Sequence, residues 1–162
     1  MIVNITISGD RELIARLDRM PAAVHLALKI KITELALRLE RWVKTRKLNG
    51  QVLNRITGRL ARSINNKITQ GTSFVLASVY SSGDVKYAGI HEFGGQTAPH
   101  IIVPKKAHAL AFGGGFYAKV NHPGSRMPER SFLRSSLRDM SSQISLGMKE
   151  AVVRAAQKSV NG

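Results

Sequence analysis

The sequence predicts an α+β fold, in which a mostly antiparallel sheet packs with a long helix in the N-terminal half and a C-terminal helix. Apolar residues recur at helical spacing over residues 22–47 and again over residues 129–159. Between these segments, residues 63–122 contain short alternating runs bounded by glycine and proline, which are typical of strands. Neither a repeat nor a linker divides the 162 residues, so we expect a single domain.

The first 20 residues are predicted to form a strand and a short helix. Val3, Ile5 and Ile7 alternate with polar residues, as in a half-buried strand. Asp10 suits the start of a helix, and Pro21 ends it. Because these residues alternate instead of forming a long apolar run, we expect no signal peptide. No stretch of the chain approaches the ~20 apolar residues of a membrane span, so we expect none.

The long helix carries two apolar stripes. The first recurs at steps of three and four and should face the core; it comprises Val24, Leu28, Ile32, Leu35, Leu39 and Trp42 or Val43. The second lies nearly opposite and comprises Leu26, Ile30 and Leu37. A helix of this span would be about 40 Å long, which is long for so small a domain. We therefore expect a neighbouring subunit to bury the second stripe, although another layer of the same domain is the alternative.

The middle of the chain is predicted to be strand-rich. Strands are expected at about 63–70 and 73–82, a hairpin is expected from 100–106 and 108–114, and a further strand from 116–122. In the C-terminal helix one stripe should face the core, namely Leu133, Leu137, Met140, Ile144, Met148, Val152 and Ala155.

Positive charge is strongly in excess, with 25 Lys and Arg against 10 Asp and Glu. There is no acidic residue between Glu40 and Asp84, nor between Glu92 and Glu129. The candidate contacts to an anionic partner are Arg41, Lys44, Arg46, Lys47, Arg55, Arg59, Arg62, Lys105 and Lys106. Such a field favours nucleic acid or an acidic protein surface, although a solvated face is the simpler interpretation.

The usual catalytic and metal-binding patterns are missing from the sequence. There is no cysteine, and no GxSxG motif accompanies the serines. The segment HEFGG is not an HExxH zinc motif, because Gly95 stands where the second histidine is needed. Carboxylates are few and scattered. We therefore expect no enzyme activity, no metal and no cofactor, and keep a metal hydrolase as the least favoured alternative.

Nucleic-acid binding without sequence preference is the second hypothesis. Aromatic residues are only 6% of the chain, so a stacking platform for bases is weak. No helix-turn-helix or zinc-finger pattern is present. Contact would therefore be made through phosphates, without readout of bases.

The segment YAGIHEFGG, residues 87–95, is interpreted as a structural turn. Tyr87, Ile90 and Phe93 have the spacing of one helical turn with an apolar side, so His91 and Glu92 should point away from it or bond to nearby backbone. The residues assigned to this structural motif are Tyr87, His91, Glu92, Phe93, Gly94, Pro128, Arg130 and Phe132. We expect the motif to join the strands to residues 128–133 through a contact of Glu92 with Arg130 or Arg126.

Three segments together resemble tail-component proteins of long-tailed bacteriophages, also known as virion-morphogenesis, tail-completion or neck proteins. Residues 57–64, TGRLARSI, resemble the family's TGxLxxSI block. Residues 87–94, YAGIHEFG, look like its YAxxHEFG block. Residues 122–133, HPGSRMPERSFL, look like the block that leads into its C-terminal helix. The blocks match in order and spacing, and residues 101–112 fit the strand pair between the last two.

The resemblance covers about residues 20–140 and departs at Ser131, where the family usually has proline, which should loosen the start of the helix. It implies a structural virion protein that assembles into a ring, commonly sixfold, at the neck or tail, after assembly in the host cytoplasm. The implied partners are copies of itself, the connector, tail terminator and tail tube, and non-specific genomic DNA in the lumen. The basic residues would line that DNA passage or dock onto acidic rims of neighbouring rings. The family carries no catalytic residues.

Overall fold

The computed structural model describes residues 22–72, 74–83, 85–105 and 107–160. The strand and short helix predicted for the first 20 residues lie outside the described residues, and so does Lys106. Within the described part the fold is α+β, as predicted, with antiparallel strands between a long helix and a C-terminal helix.

Helices open and close the described chain. They are α1 (Ala22–Trp42), α2 (Arg59–Ser63), α3 (Tyr87–Phe93) and α4 (Leu133–Val160), and a wider π-type segment, Val43–Gln51, follows α1 directly. Among the described residues, no helix combines the length and the apolar character needed to cross a membrane.

Eight strands lie between α2 and α4 in the described residues. They are β1 (Ile64–Gln70), β2 (Val75–Ser81), β3 (Gly95–Gln96), β4 (His100–Ile102), β5 (Leu110–Phe112), β6 (Gly115–Tyr117), β7 (Val120–His122) and β8 (Arg126–Met127). They form four antiparallel two-stranded pairs, β1 with β2, β3 with β8, β4 with β7 and β5 with β6. The predicted antiparallel pairing is therefore confirmed, but it is divided among separate pairs.

The predicted hairpin of residues 100–106 with 108–114 is wrong. β5 instead pairs with β6 through the two-residue turn Gly113–Gly114, whose φ angles are 57° and 79°. Positive φ at both positions gives the turn a twist that matches antiparallel strands, and glycine adopts it without strain. The run beginning at His100 is left to pair with β7, so that His100 lies opposite His122. The strand predicted over 116–122 is thus split between β6 and β7.

Helices α1 and α4 pack antiparallel along the predicted stripes. At one end Val24 and Leu28 contact Ala155, and at the other Val43 and Met140 belong to the main core. The buried residues of that core are Leu39, Val43, Leu48, Ala61, Ile64, Val79, Val85, Ala88, Phe132, Leu133 and Met140. Strand β2 packs against α1, so the β1–β2 pair shares this core.

The regular part of α1 ends at Trp42, five residues before the predicted end. In the π-type segment, Leu48, Asn49 and Gly50 leave helical dihedral angles, and Gly50 has a φ of 107°. The carbonyl of Lys47 accepts hydrogen bonds from the N–H groups of Val52 and Leu53, at 3.1 and 3.0 Å. The chain therefore makes a turn over residues 48–53.

The second stripe of α1 stays uncovered by the described residues. Leu26, Ile30 and Leu37 are 57%, 62% and 54% exposed. On α4, Leu146 and Val153 are similarly exposed. The packing that buries the first stripe therefore leaves a second apolar face on this helical pair.

We expect Phe132→Ala to lower the free energy of unfolding by about 3–5 kcal/mol, since removing a fully buried ring leaves a cavity. The control is Ile56→Ala, at a side chain that is 94% exposed and outside the surfaces considered for association, with an expected change below about 0.5 kcal/mol. Urea unfolding followed by circular dichroism measures both. Equal losses in the two variants would contradict this description of the core.

Candidate functional site

The three segments that suggested the family meet in one core. Ala61 and Ile64 come from the first segment, Ala88 from the second, and Phe132 and Leu133 from the third. Positions far apart in the chain are thus packed together, and the most polar member of the group is the completely buried Glu92.

Helix α3 places Glu92 against the start of α4. Ala88 and Gly89 on this short helix are buried, and Ala88 donates its N–H to the carbonyl of Val85 at 3.0 Å. After Glu92 the chain leaves through Gly94, whose φ is 69°. A Cβ at Gly94 would lie 2.9 Å from the backbone nitrogen of Glu129, so glycine is needed both for its φ and for this close approach.

The carboxylate of Glu92 caps the N-terminus of α4. Its Oε2 accepts the backbone N–H groups of Phe132 and Leu133, each at 2.8 Å. Its Oε1 accepts the N–H of Arg134 and the hydroxyl of Ser131, each at 2.9 Å. The first N–H groups of a helix have no partner within the helix, and a carboxylate there also meets the positive end of the helix dipole. Glu92, about 40 residues upstream, therefore supplies what the first turn of α4 lacks.

Arg134 balances the buried charge. Its Nε lies 3.2 Å from Glu92 Oε1, and its Nη2 donates to the carbonyl of Glu92 at 2.7 Å. The same Nη2 reaches Glu129 Oε1 at 2.9 Å. The guanidinium also lies over the ring of Phe93, 4.6 Å from its centroid. A buried carboxylate with these partners is held in one position, because burying it without them would cost several kcal/mol.

The expected contact of Glu92 with Arg130 or Arg126 is wrong, because Arg134 makes it. Arg130 instead donates its backbone N–H to the carbonyl of His91 at 2.7 Å. The expected apolar side of α3 is reversed, since Tyr87 and Phe93 are exposed while Glu92 faces the core. The stated alternative holds for Glu92, because its carboxylate bonds to backbone N–H groups. One sequence signal could have indicated the cap: the first turn of α4 contains no acidic residue.

Ser131 contributes to this joint instead of loosening it. Its hydroxyl donates to Glu92, and its carbonyl accepts the hydroxyl of Ser135 at 2.5 Å. Pro128 is exposed just before this segment, and Phe132 just after it is fully buried. The two segments of the motif meet where Arg130 bonds to His91 and Phe132 bonds to Glu92.

His91 lies beside the joint. Its ring is edge-on to Tyr87, with 5.9 Å between ring centroids. Its Nδ1 is buried and has no hydrogen-bond partner among the described residues. Burial, and secondly the positive charge of Arg130, lower the pKa of His91. The described residues contain no cluster of three or more side chains that could hold a metal ion.

Several of the cationic residues predicted to contact an anionic partner interact with side chains of their own chain instead. Lys47 is 5% exposed, and its Nζ lies 2.7 Å from Asp139 Oδ2, so the assignment of Lys47 to an anionic partner is wrong. Lys44 pairs with Glu40 at 2.5 Å. Arg46 lies over the ring of Trp42, 5.6 Å from its centroid. The remaining described members are exposed, namely Arg41, Arg55, Arg59, Arg62 and Lys105.

The pKa of Glu40 is affected by burial and by hydrogen bonding in opposite directions, and the effect of hydrogen bonding is larger. Burial alone would raise the pKa of this carboxyl group, but hydrogen bonds from Lys44 and Asn66 leave the pKa lower than usual. The acid therefore stays ionised and ties α1 to strand β1.

A groove of about 280 Å³ lies next to α2 and α3. Leu53, Ile56 and Leu60 form part of its apolar lining, and Tyr87 and His91 line it from α3. Arg55, Thr57, Gly58 and Arg59 bring cationic and polar groups to the same groove. From the sequence, Arg55 and Arg59 were predicted only as members of a long basic stretch. That the turn between them brings both to one groove could not be predicted from their spacing.

Replacing Glu92 with glutamine should lower the free energy of unfolding by about 3 kcal/mol, because an amide NH₂ would face backbone donors and Arg134 would lose its counter-charge. Glu150→Gln, which affects an exposed pair with Arg154, should change it by less than about 0.5 kcal/mol. Urea unfolding of the three proteins at one pH makes the comparison. An unchanged midpoint for Glu92→Gln would contradict the capping role.

Stability should fall as the pH drops below the ordinary histidine pKa of 6.5. The fold lowers the pKa of His91, so the unfolded chain binds the proton more readily and the stabilisation present above pH 6.5 is lost as the pH falls toward the folded pKa. Urea midpoints between pH 7.5 and 5.5 measure the slope, which His91→Gln should reduce. Arg130→Gln should also reduce it, by removing the neighbouring charge; identical slopes in all three proteins would contradict the assignment.

No family model, no curated protein and no solved structure matches the chain. A function for the protein has therefore to come from its own residues and from their geometry.

Proposed function

We propose that the chain is a structural component of the neck of a tailed bacteriophage, a head–tail joining or tail-completion protein that assembles into a ring around the DNA passage. One observation carries the proposal. The three segments that resemble the family converge on one core and on the Glu92 cap, where they serve packing and helix capping. Residues used in this way build a rigid subunit.

A closed ring requires that each subunit offer two different surfaces that fit each other. One candidate surface is the apolar face of α1, formed by Leu26, Ile30 and Leu37. The other is the β5–β6 hairpin, which displays Phe112 and Phe116 at 53% and 82% exposure. Exposed apolar groups of this size favour association with another protein surface. We assign both surfaces to contacts between copies of this chain.

The net charge of +15 supports a position beside DNA or acidic virion proteins. Exposed cations such as Arg41, Arg59 and Lys105 would hold phosphates in the lumen without reading bases. The proposed partners are the connector, tail terminator and tail tube, and the proposed location is the virion, after assembly in the host cytoplasm.

The alternative is a free protein that binds nucleic acid without sequence preference. The same charge and the exposed arginines favour it. The two functions differ in where the protein is found. Electron microscopy of purified particles, with an antibody against this chain, should label the head–tail junction. Label absent from particles that contain their other neck proteins would contradict the proposal and leave the alternative.

Ile30→Glu should weaken self-association at least about tenfold, because a carboxylate would have to be buried in the apolar contact. Gln70→Glu is the control, since it makes the same charge change at an exposed position of β1, away from the apolar face of α1 and α4, and should leave association unchanged. Sedimentation velocity over a range of concentrations measures both. If Ile30→Glu instead reduced the free energy of unfolding and left association intact, the stripe would be covered within its own chain, and its assignment to a subunit interface would be wrong.

A further inference from the structure

Two arginines converge at the turn before α2. Gly58 is buried and has a left-handed φ of 72°. A Cβ built at Gly58 would lie 2.9 Å from Nε and 3.1 Å from Nη2 of Arg55, and 3.1 Å from Nη1 of Arg62. Both guanidinium groups therefore lie against Gly58, and Nη1 of Arg62 is at most about 6 Å from Nε and Nη2 of Arg55.

No carboxylate balances this pair in the described part of the chain. The ion pairs there involve neither Arg55 nor Arg62. Arg59, the first residue of α2, is exposed and also lies outside these ion pairs. Like charges this close repel each other, and an anion placed between them turns that repulsion into attraction.

The adjoining groove supplies further polar groups. Arg55, Thr57 and Gly58 line one part of it, and His91 lines another. The Thr57 hydroxyl already accepts the N–H of Arg59 at 3.3 Å, so its own hydrogen is free to be donated to a ligand. The groove therefore adjoins Arg55 and holds the Thr57 hydroxyl as a further donor.

We propose that Arg55, in the turn before α2, and Arg62, on α2, form a binding site beside Gly58 for a phosphate group, occupied by a backbone phosphodiester of double-stranded DNA. A phosphodiester has two free oxygens that share one negative charge, and each oxygen can accept from one guanidinium fork. A carboxylate carries the same single charge on two oxygens, so the arginine pair alone would accept either group. Both arginines lie in the stretch between Glu40 and Asp84 that contains no acidic residue, and the net charge of +15 favours a polyanion such as the DNA backbone.

The proposal deepens the proposed function and rests on it only for the identity of the ligand as DNA. The site binds the backbone, so affinity should be independent of base sequence and should fall steeply with salt.

The first measurement uses inorganic phosphate with the full-length chain. Nitrogen-edited NMR of arginine Nε–H groups should show shifts at Arg55 and Arg62 on adding phosphate, but not on adding chloride at equal ionic strength. The Nε–H of Arg138, an exposed arginine on α4, is the internal control and should not move. Equal shifts at all three arginines would overturn the site.

The second measurement uses a fluorescent 20-base-pair duplex. The double variant Arg55→Lys with Arg62→Lys keeps the net charge but loses the forks, and it should bind DNA at least about fivefold more weakly. Arg138→Lys should stay within about twofold, since it changes an isolated surface cation. Arg62→Gln should reduce the slope of log K against log salt by about one. Lysine replaces exposed side chains here, and circular dichroism verifies that each variant is folded.

Poly-glutamate serves as the competing ligand. Binding of poly-glutamate with the same affinity and the same loss in the double lysine variant would overturn the choice of phosphate. Ring formation is measured separately, by sedimentation without DNA. Normal rings with no DNA effect in the double variant would overturn the phosphate site alone, whereas phosphate binding without any self-association would overturn the proposed ring function alone.

Discussion

The contact between the Glu92 carboxylate and the N-terminus of α4 is the constraint on which the core depends. Helix α4 supplies Phe132, Leu133 and Met140 to the main cluster, and its first turn brings no acid of its own. A carboxylate that accepts three backbone N–H groups while paired with an arginine can be buried completely, because every charge and donor there is satisfied. Shifting α3 would leave both the carboxylate and the helix terminus unpaired.

The buried polar side chains around this contact are hydrogen-bonded, whereas apolar and cationic side chains remain exposed on the surface. The buried side holds Glu92 and a second buried polar pair, Ser63 and Ser81, whose hydroxyls lie 2.8 Å apart. The outer side holds Leu26, Ile30 and the aromatic hairpin, together with the exposed arginines. A rigid subunit with exposed apolar faces can associate with other subunits, and its positively charged surface can contact an anionic polymer. The proposed neck function is based on these two properties.

The two proposed contacts with other molecules differ in what defines them. The α1 stripe is a helical period in the sequence, so the spacing of its apolar residues is enough to predict it. The phosphate site is a convergence of Arg55 and Arg62 around Gly58, which depends on a left-handed turn and on the directions of two long side chains. Counting charges along the chain found the basic stretch that contains them, but it also included Lys47, which the fold buries against Asp139.

The sequence by itself determined the fold class, both long helices, their core-facing stripes and the β1–β2 strands, because these follow from periodicity between near neighbours. It also indicated that residues 87–95 and 128–133 form one structural joint. Only the tertiary structure decided which strand pairs with β4, which way α3 faces, and that Arg134 is the partner of Glu92. These outcomes depend on groups that are distant along the chain competing for the same donors, acceptors and space, and local spacing carries no information about that competition.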